Sequence, residues 1–462
     1  MNLVLIVLDS LRQDHVACYG KPPWYDSPIQ TPNLDAFAGE AVKFDNAYPE
    51  ALPTIPVRTA LVTGQRTLQG RPWQPLTPED VTAAEIFAEL GYVNAMITDV
   101  YHLAKPGMNF ARGFHSFKFI RGQESDAFET TPHGRNVDDF IHPAMKGTTK
   151  EVVVDQYLRN VAAWKSDEDC FPAQVFKEAA RFVEGVGDRP FFMWVDSFDP
   201  HEPWYPLPPF DKLYVDPHYK GPHLIDALYS TVDYMSAEEL AFIRAMYAGE
   251  ATMTDKWLGF FIDALRARKL LDNTLVLVLA DHGHPLGDHR KIMKHPDNLY
   301  GELLRIPFLL RLPGAEHAGK QLDALAQTDD VLPTFLDYIG CGPEAVAMHG
   351  KSLRPLVEGR AESVRDWVVT GYHQSPYRCV RDRQWSYFYR PEGSELYNLA
   401  NDPTEQCNVI GQHADVAERM HRRMGVFSFT KQGKAPGKNV QERYEWSGTP
   451  VALDRNPAVA RR

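Results

Sequence analysis

The sequence predicts an α/β fold built on one large, mostly parallel β-sheet sandwiched by helices, with a smaller C-terminal α+β subdomain. Four short apolar runs, typical of strands buried on both faces, occupy residues 3–8, 93–97, 191–195 and 275–280. Helical patterns separate these runs, and such alternation is typical of a parallel sheet between layers of helices. Near residue 345 the pattern shifts to short β-type runs, such as 367–370 and 385–389, followed by a helix over about 414–424.

Each of the four apolar runs leads to acidic or imidazole side chains. In chain order these are Asp9; His102; Asp196, Asp199 and His201; and Asp281 with His282. The carboxyl ends of parallel strands share one edge of the sheet, where ligands bind in open α/β folds, so we expect one common crevice. A single Asp after a strand is usually a turn or a helix cap, but four such strand ends together favour a site.

Residues 52–64 predict a short helix that begins near a hydroxyl group, that of Thr54. Pro56 suits the first helical turn, and Gly64 suits the position just beyond the end. Backbone N–H groups and the positive end of the helix dipole favour an anion beside Thr54, and Arg58 adds donors suited to phosphate or sulfate oxygens. Taken alone, an ordinary capped helix with a solvated arginine explains this segment equally well.

Asp9, Asp281 and His282, with the Thr54 oxygen, form a plausible ligand set for one divalent cation. Mixed carboxylate and imidazole ligands favour Mn, Zn or Fe, while Ca or Mg remains possible. Such an ion lowers the pKa of a bound hydroxyl, so Thr54 is a candidate nucleophile at neutral pH.

Two further helices are predicted between the strands. Thr77 reads as the cap of a helix that ends at Gly91, with Pro78 and early acidic residues in its first turn. A second helix is expected over residues 252–271, immediately before the strand that leads to Asp281.

Motifs in a fixed order resemble those of sulfatases and related hydrolases of the alkaline phosphatase superfamily. The matching segments, within residues 2–425, are Asp9-Ser10-Leu11-Arg12-Gln13-Asp14-His15, residues 52–64, Asp199-Pro200-His201-Glu202-Pro203, Ala280-Asp281-His282-Gly283, Lys294-His295 and residues 395–403. The resemblance implies a sulfatase-like fold with metal ligands at Asp9, Asp281 and His282, and with Thr54 as nucleophile and additional ligand. It also implies that the substrate anion is surrounded by Arg58, His102, His201, Lys294 and His295. A histidine taken alone is more often structural than functional. Position inside a matching motif favours a functional role instead, most firmly for His201.

Several departures from the sulfatase pattern bear on the chemistry. Sulfatases carry at the position of Thr54 a cysteine that is oxidised to formylglycine, so no formylglycine is expected here. The aldehyde hydrate of formylglycine releases sulfate by carbon–oxygen cleavage, a route that a sulfated threonine lacks. A phosphorylated threonine, in contrast, can be attacked at phosphorus. Ser10 replaces a metal-binding aspartate, His282 replaces an asparagine, and Val100 stands where most sulfatases have a lysine. These differences resemble phosphonate monoester and phosphodiester hydrolases.

Three functional hypotheses follow. The leading one is a metal-dependent hydrolase that cleaves a phosphodiester or phosphonate monoester through a covalent Thr54 intermediate. The second is a sulfuric ester hydrolase or a phospho-group transferase. The third is a catalytically lapsed anion-binding protein, against which the complete set of candidate site residues argues.

Composition constrains the partners. The chain has 462 residues, 44% of them hydrophobic, and a net charge of −12, which opposes binding to nucleic acid or anionic membranes. A small anionic ester substrate must therefore be held by local cations.

Five widely spaced cysteines, without metal-binding spacing, predict free thiols in a reducing compartment. With no signal-peptide pattern before the first strand, a cytoplasmic enzyme is expected.

The predicted organisation has three parts. Residues 1–345 form the catalytic domain, 346–430 the C-terminal subdomain, and 431–462 a polar arm or tail that either packs on the body or reaches another subunit of a homo-oligomer. Residues 104–170 are polar and irregular, and at this point a substrate-shaping lobe and a surface insertion without catalytic role are equally plausible.

Overall fold

An eight-stranded sheet forms the centre of the computed structural model, which describes residues 1–68, 70–342 and 348–429. The strands are β1 Asn2–Leu8, β2 Val42–Tyr48, β3 Val93–Thr98, β4 Ser116–Phe119, β5 Phe191–Ser197, β6 Ser230–Thr231, β7 Thr274–Ala280, β8 Lys291–Ile292, β9 Phe308–Arg311, β10 Gln321–Gln327, β11 Val368–Gly371, β12 Arg378–Arg381, β13 Trp385–Tyr389 and β14 Glu395–Asn398. The helices are α1 Pro32–Gly39, α2 Thr54–Thr63, α3 Ala83–Glu89, α4 Tyr101–Ala104, α5 Thr149–Asn160, α6 Phe171–Gly185, α7 Ala237–Ala267, α8 Gly301–Leu304, α9 Val331–Tyr338, α10 Arg354–Val357 and α11 Ala414–Phe429.

The strand order of the large sheet is β10-β2-β9-β7-β1-β5-β3-β4. All pairings are parallel except those of β9, which runs antiparallel to both of its neighbours. The mostly parallel sheet predicted from the sequence is therefore confirmed. The four apolar strands lie side by side as β7-β1-β5-β3, and Leu8 is in register with both Ala280 and Ser197. This register brings the residues that follow β1, β5 and β7 to one edge.

Helices pack on the sheet in two groups. In the first, α6 contacts β3, β5 and α7, and α7 contacts α1. In the second, α3 contacts β3 and α2, and α2 also contacts α9. Strands β1, β5 and β7 are buried along their whole length, so the continuous apolar runs in the sequence reflect strands covered on both faces.

Helix α3 begins later than the sequence predicted. Thr77 does not cap it, because the Asp80 carboxylate accepts the Thr77 N–H at 2.6 Å and also pairs with Arg71, which closes a separate turn. The cap is Thr82, whose hydroxyl accepts the Glu85 N–H while the Glu85 carboxylate accepts the Thr82 N–H. This capping box outweighs the Thr-Pro signal five residues earlier.

Helix α7 is longer than predicted. It begins at Ala237 rather than near residue 252, because Ser236 and Glu239 form a capping box at its start. It ends at Ala267, and residues 270–273 form a separate 3-10 turn before β7.

The C-terminal subdomain is an antiparallel sheet of β11, β12, β13 and β14, on which α11 packs. Both the antiparallel sheet and the helix were predicted. The subdomain joins the main body through the segment that precedes α2: Leu52 N–H donates to the Gly371 carbonyl at 2.9 Å, and His373 N–H donates to the Leu52 carbonyl at 3.0 Å. The predicted boundary at 345/346 and the predicted arm 431–462 lie outside the described residues.

All five cysteines are free thiols, as the sequence predicted. Within the described ranges, no helix is both long enough and apolar enough to cross a bilayer.

Glu50, just before α2, is a fully buried carboxyl group. Its oxygens accept hydrogen bonds from the Thr67 N–H at 2.7 Å, the Thr67 hydroxyl at 2.9 Å and the Leu68 N–H at 3.3 Å. Burial, reinforced by the nearby Asp329, raises the pKa of Glu50 to about 7 from its ordinary value of 4.5.

This shift predicts a pH-dependent stability. The folded protein holds the Glu50 proton more tightly than the unfolded chain does. The stabilisation that this proton contributes is therefore fully present below pH 4.5 and is lost as pH rises towards 7. The loss attributable to Glu50 is about 3 kcal/mol. We therefore expect the Tm of Glu50→Gln to fall less between pH 5 and pH 8 than that of the wild type. Parallel Tm curves for the two proteins would contradict this assignment.

Candidate active site

The carboxyl ends of β1, β5 and β7 form a buried charge cluster around Arg58 of α2. The Arg58 guanidinium pairs with Asp196 at 2.7 and 3.1 Å, with Asp9 at 3.0 Å, and with Asp281. All four side chains are completely buried. In the structure the Arg58 donors face three carboxylates, and its predicted place beside the substrate anion stays a prediction. Three buried carboxyl groups thus share a single guanidinium, and this shortage of positive charge favours binding of a divalent cation.

Asp9, Asp281 and His282 form a group able to hold a metal ion, with one ligand atom of each within 4.8 Å of the others. The Ser10 N–H donates to Asp281 Oδ1 at 2.9 Å, and the Ser10 hydroxyl donates to Asp9 Oδ1 at 2.8 Å, so both carboxylates are oriented. His282 Nδ1 lies 2.8 Å from the Gly283 carbonyl, which places the proton on Nδ1.

His282 Nε2 is then the acceptor nitrogen of the ring. It is buried, lies 3.3 Å from Asp281 Oδ2, and has no hydrogen-bond partner among the described residues. A buried imidazole lone pair beside two carboxylates is a donor set that fits a divalent ion. The structure thus brings together three of the four predicted ligands, while ligation by Thr54 stays a prediction.

Thr54 is the first residue of α2, as the sequence predicted, and is 2% exposed. The helix ends at Gly64, whose φ of 63° is the left-handed conformation that glycine adopts readily. Because the first N–H groups of an α-helix lack intrahelical acceptors, this end of α2 suits an anion.

Thr54 lies in the wall of an open cavity of about 630 Å³. The lining residues come from the start of α2, the loop between α2 and α3, α4, the loop after β4, α5 with the residue before it, the segment between β5 and β6, and the segments after β8 and β11. They are Pro53, Thr54, Trp73, Tyr101, His102, Glu124, Ser125, Thr148, Thr149, Lys150, Val153, His201, Glu202, Leu228, Tyr229, Lys294, Tyr372 and His373. Three of the predicted substrate-binding residues, His102, His201 and Lys294, are therefore brought together with the predicted nucleophile.

Lys294, His201 and Glu202 form a hydrogen-bonded set in this wall. Lys294 Nζ lies 2.6 Å from Glu202 Oε2 and donates to His201 Nε2 at 3.1 Å, while His201 Nδ1 donates to the Glu202 carbonyl at 2.7 Å. Burial lowers the pKa of His201 to about 3, so the ring is neutral at pH 7. In this state His201 is a hydrogen-bonding group, and its predicted role as a proton donor stays a prediction.

His102 and His295 make contacts of their own. His102 Nε2 lies 3.2 Å from Glu124 Oε2, and burial lowers the pKa of His102 although Glu124 opposes this effect. His295 lies beside the Tyr229 ring, with Nδ1 at 4.0 Å from Asp297. Its predicted contact with the substrate stays a prediction.

Residues 104–170 contribute Glu124, Ser125, Thr148, Thr149, Lys150 and Val153 to the cavity wall. This placement favours the substrate-shaping interpretation of the segment. Lys150 Nζ bonds to Asp226 at 2.8 and 3.0 Å and lies 3.5 Å from Glu202. Sequence reasoning did not single out Glu124, Lys150 or Trp73, and gave Glu202 no role although it lies in a quoted motif.

Two family profiles match the chain. The profile described as Sulfatase matches residues 1–341. The profile described as N-sulphoglucosamine sulphohydrolase, C-terminal, matches residues 287–428.

Characterised relatives and solved structures extend the comparison. The chain is 26% identical over 451 residues to an arylsulfatase of Clostridium perfringens, covering 88% of this chain and 90% of the relative. It is 25% identical over 459 residues to the multifunctional alkaline phosphatase superfamily protein PehA of Trinickia caryophylli, covering 88% and 85%. The phosphonate monoester hydrolase of Agrobacterium radiobacter superposes with a TM-score of 0.72 at 21% identity, covering 92% of this chain and 95% of that one. This last likeness shows the shared fold.

Proposed function

We propose, from the premise that this chain belongs to the sulfatase family and is an ester-bond hydrolase, that it cleaves a phosphodiester or a phosphonate monoester through a covalent intermediate on Thr54. The observation that carries the proposal is the hydroxyl of Thr54, in the cavity wall at the start of α2, where sulfatases have the precursor of formylglycine.

The proposed reaction has two displacements. In the first, Thr54 Oγ1 gives up its proton as its bond to phosphorus forms, and the leaving-group oxygen departs with the electron pair of its bond and takes up a proton. In the second, a water oxygen attacks phosphorus and Thr54 leaves as a hydroxyl again. A divalent ion held by Asp9, Asp281 and His282 would lower the pKa of a nearby hydroxyl and offset negative charge in both displacements. Free N–H groups at the start of α2 offset charge on the same oxygens.

The charges in the cavity favour a substrate with one negative charge. Both lysines in the wall are already paired, Lys294 with Glu202 and Lys150 with Asp226 and Glu202. A phosphodiester or phosphonate monoester carries a single negative charge at pH 7, whereas a phosphate monoester carries nearly two. Because both lysines already offset carboxylates, they can balance a substrate with one negative charge. A second negative charge on the substrate would be buried without a cation to balance it.

A sulfuric ester hydrolase is the second candidate. The family profile and the arylsulfatase relative favour it, and a sulfate monoester also carries a single negative charge. The proposal therefore depends on the fate of the covalent intermediate, since a sulfated threonine lacks the carbon–oxygen exit that formylglycine provides.

Four p-nitrophenyl esters with a common leaving group separate these candidates: the phosphate monoester, a phosphodiester, a phosphonate and the sulfate. We expect the highest kcat/KM on the diester or the phosphonate and the lowest kcat on the sulfate, with protein whose metal content has been measured. A burst of about one equivalent from the sulfate, without further turnover, would fit a trapped sulfated threonine. Multiple turnovers that are fastest on the sulfate would contradict the proposal.

A further inference from the structure

Glu124 and His102 form a pair in the cavity wall, with 17% and 14% of their side chains exposed. Glu124 Oε2 lies 3.2 Å from His102 Nε2. A carboxylate accepts hydrogen bonds and cannot donate them, so this contact places the ring proton on Nε2. The other ring nitrogen, Nδ1, is buried from water and has no hydrogen-bond partner among the described residues.

Glu124 is ionised in this environment. Burial opposes its charge, but the hydrogen bond to His102, together with the nearby His201 and Lys150, lowers the pKa of Glu124 to about 2. The pair is therefore a carboxylate and a neutral imidazole at pH 7, an arrangement that raises the basicity of the free ring nitrogen.

The backbone that carries Glu124 is held in an unusual conformation. The φ of Glu124 is 48°, in the left-handed region that a glutamate seldom adopts. The preceding residue, Gln123, is completely buried, and its amide donates to Asp99 at 3.1 Å and to Asp199 at 2.7 Å. The loop is thus fastened to the carboxyl ends of β3 and β5, which fixes the place of the Glu124 carboxylate relative to His102.

The His102 ring is also confined by its neighbours. The Trp73 ring meets it edge to face at a centroid distance of 4.9 Å, and the Phe198 ring lies at 5.9 Å. Packing restricts the ring plane, but it does not decide which nitrogen carries the proton. Only a polar partner decides this, and in the described part of the chain that partner is Glu124.

We propose that Glu124 is a positioning residue that keeps the His102 proton on Nε2 and so fixes the tautomer and orientation of the imidazole in the cavity wall that also holds Thr54. This inference rests on the proposed function, because it requires hydrolysis in this cavity. The alternative is that Glu124 only stabilises its own loop, in which case its removal acts independently of His102.

The state of the ring is tested directly by nitrogen-15 NMR of histidine-labelled protein, with the His102 signals assigned from the His102→Gln spectrum. In the wild type we expect a protonated Nε2 and an unprotonated Nδ1. In Glu124→Ala we expect the two nitrogens to move towards a mixture of tautomers, while Glu124→Gln keeps the wild-type pattern because its amide oxygen also accepts from Nε2–H. A proton on Nδ1 in the wild type, or a spectrum unchanged in Glu124→Ala, would overturn the proposal.

A double-mutant cycle on the best ester supplies the kinetic test. We expect Glu124→Ala to lower kcat roughly 10- to 100-fold with little change in KM, as removal of an orienting partner does. In a His102→Ala background the same change should cost less than about twofold, since the two residues act as one unit. Glu129→Ala, which removes another carboxylate from the same segment, should leave kcat unchanged.

Additive losses from His102→Ala and Glu124→Ala would overturn the positioning role. Fast turnover of sulfate esters would contradict the proposed function alone, because the NMR result and the non-additivity do not depend on which ester is cleaved.

Discussion

Thr54→Ala removes the oxygen to which, in the proposed mechanism, the substrate group becomes attached, and we expect it to lower kcat on the best ester by at least roughly 10³-fold. Thr54→Ser keeps a hydroxyl at the start of α2 and should retain measurable turnover. Intact-protein mass spectrometry of acid-quenched wild type during turnover should show one added phosphoryl or phosphonyl group, and peptide mapping should place it on Thr54.

A matched control comes from the same helix. Thr59 is a buried threonine one residue beyond Arg58, and Thr59→Ala is expected to leave kcat within about threefold of the wild type. Metal content and Tm of Thr54→Ala should also be compared with those of the wild type, so that loss of chemistry is separated from loss of folding. Retention of more than a tenth of the activity by well-folded Thr54→Ala would show that the nucleophile is another group.

The second large effect is expected from the candidate metal ligands. Asp281→Asn replaces a charged candidate ligand by a neutral amide in a group of three residues whose ligand atoms lie within 4.8 Å of one another. It also leaves Arg58 with one fewer carboxylate partner. We expect bound metal, measured by elemental analysis after gel filtration, to fall below about a tenth of the wild-type content, and kcat to fall roughly 10³-fold.

Asp196→Asn is the control for this experiment. Asp196 is equally buried and pairs with Arg58, but it lies outside the group of three candidate ligands. Its substitution should disturb Arg58 and leave the metal content close to that of the wild type. Equal metal loss in both variants would mean that the charge balance around Arg58, rather than ligation by Asp281, controls binding. Wild-type metal content in Asp281→Asn would exclude Asp281 as a ligand.

The strand ends were the part of the site that the sequence predicted well. Uninterrupted apolar runs before Asp9 and Asp281 indicated fully buried parallel strands, and parallel strands must bring their carboxyl ends to one edge. Thr54 was located for a similar reason, because Pro56 and Gly64 limit where a short helix begins and ends.

Arg58 shows why the rest was not predictable. The motif implied an arginine near an anion, but the register that surrounds it with Asp9, Asp196 and Asp281 depends on the order of three strands distant in the chain. The start of α3 was misplaced for a different reason. The Thr77-Pro78 pair resembles a helix start, but the helix begins after Thr82, whose capping box with Glu85 stabilises that start.

The cavity wall was still less accessible to sequence reasoning. Glu124, Lys150 and Tyr372 lie on segments that the sequence pattern does not orient, and they meet only through tertiary packing. A carboxylate in an irregular loop carries no local sign that it will face a histidine 22 residues earlier in the chain. The left-handed backbone at Glu124 is likewise a property of the folded loop.

The two hydrogen bonds between Leu52 and the strand end at Gly371 and His373 have a consequence for the timing of activity during synthesis. The Leu52 N–H reaches the Gly371 carbonyl across 371 − 52 = 319 residues. At about 10 residues per second, a ribosome needs roughly half a minute to make that stretch. Until then the segment that leads into Thr54, the proposed nucleophile, lacks the hydrogen bonds of its partner strand. The enzyme is therefore expected to become active only after residue 373 has been translated.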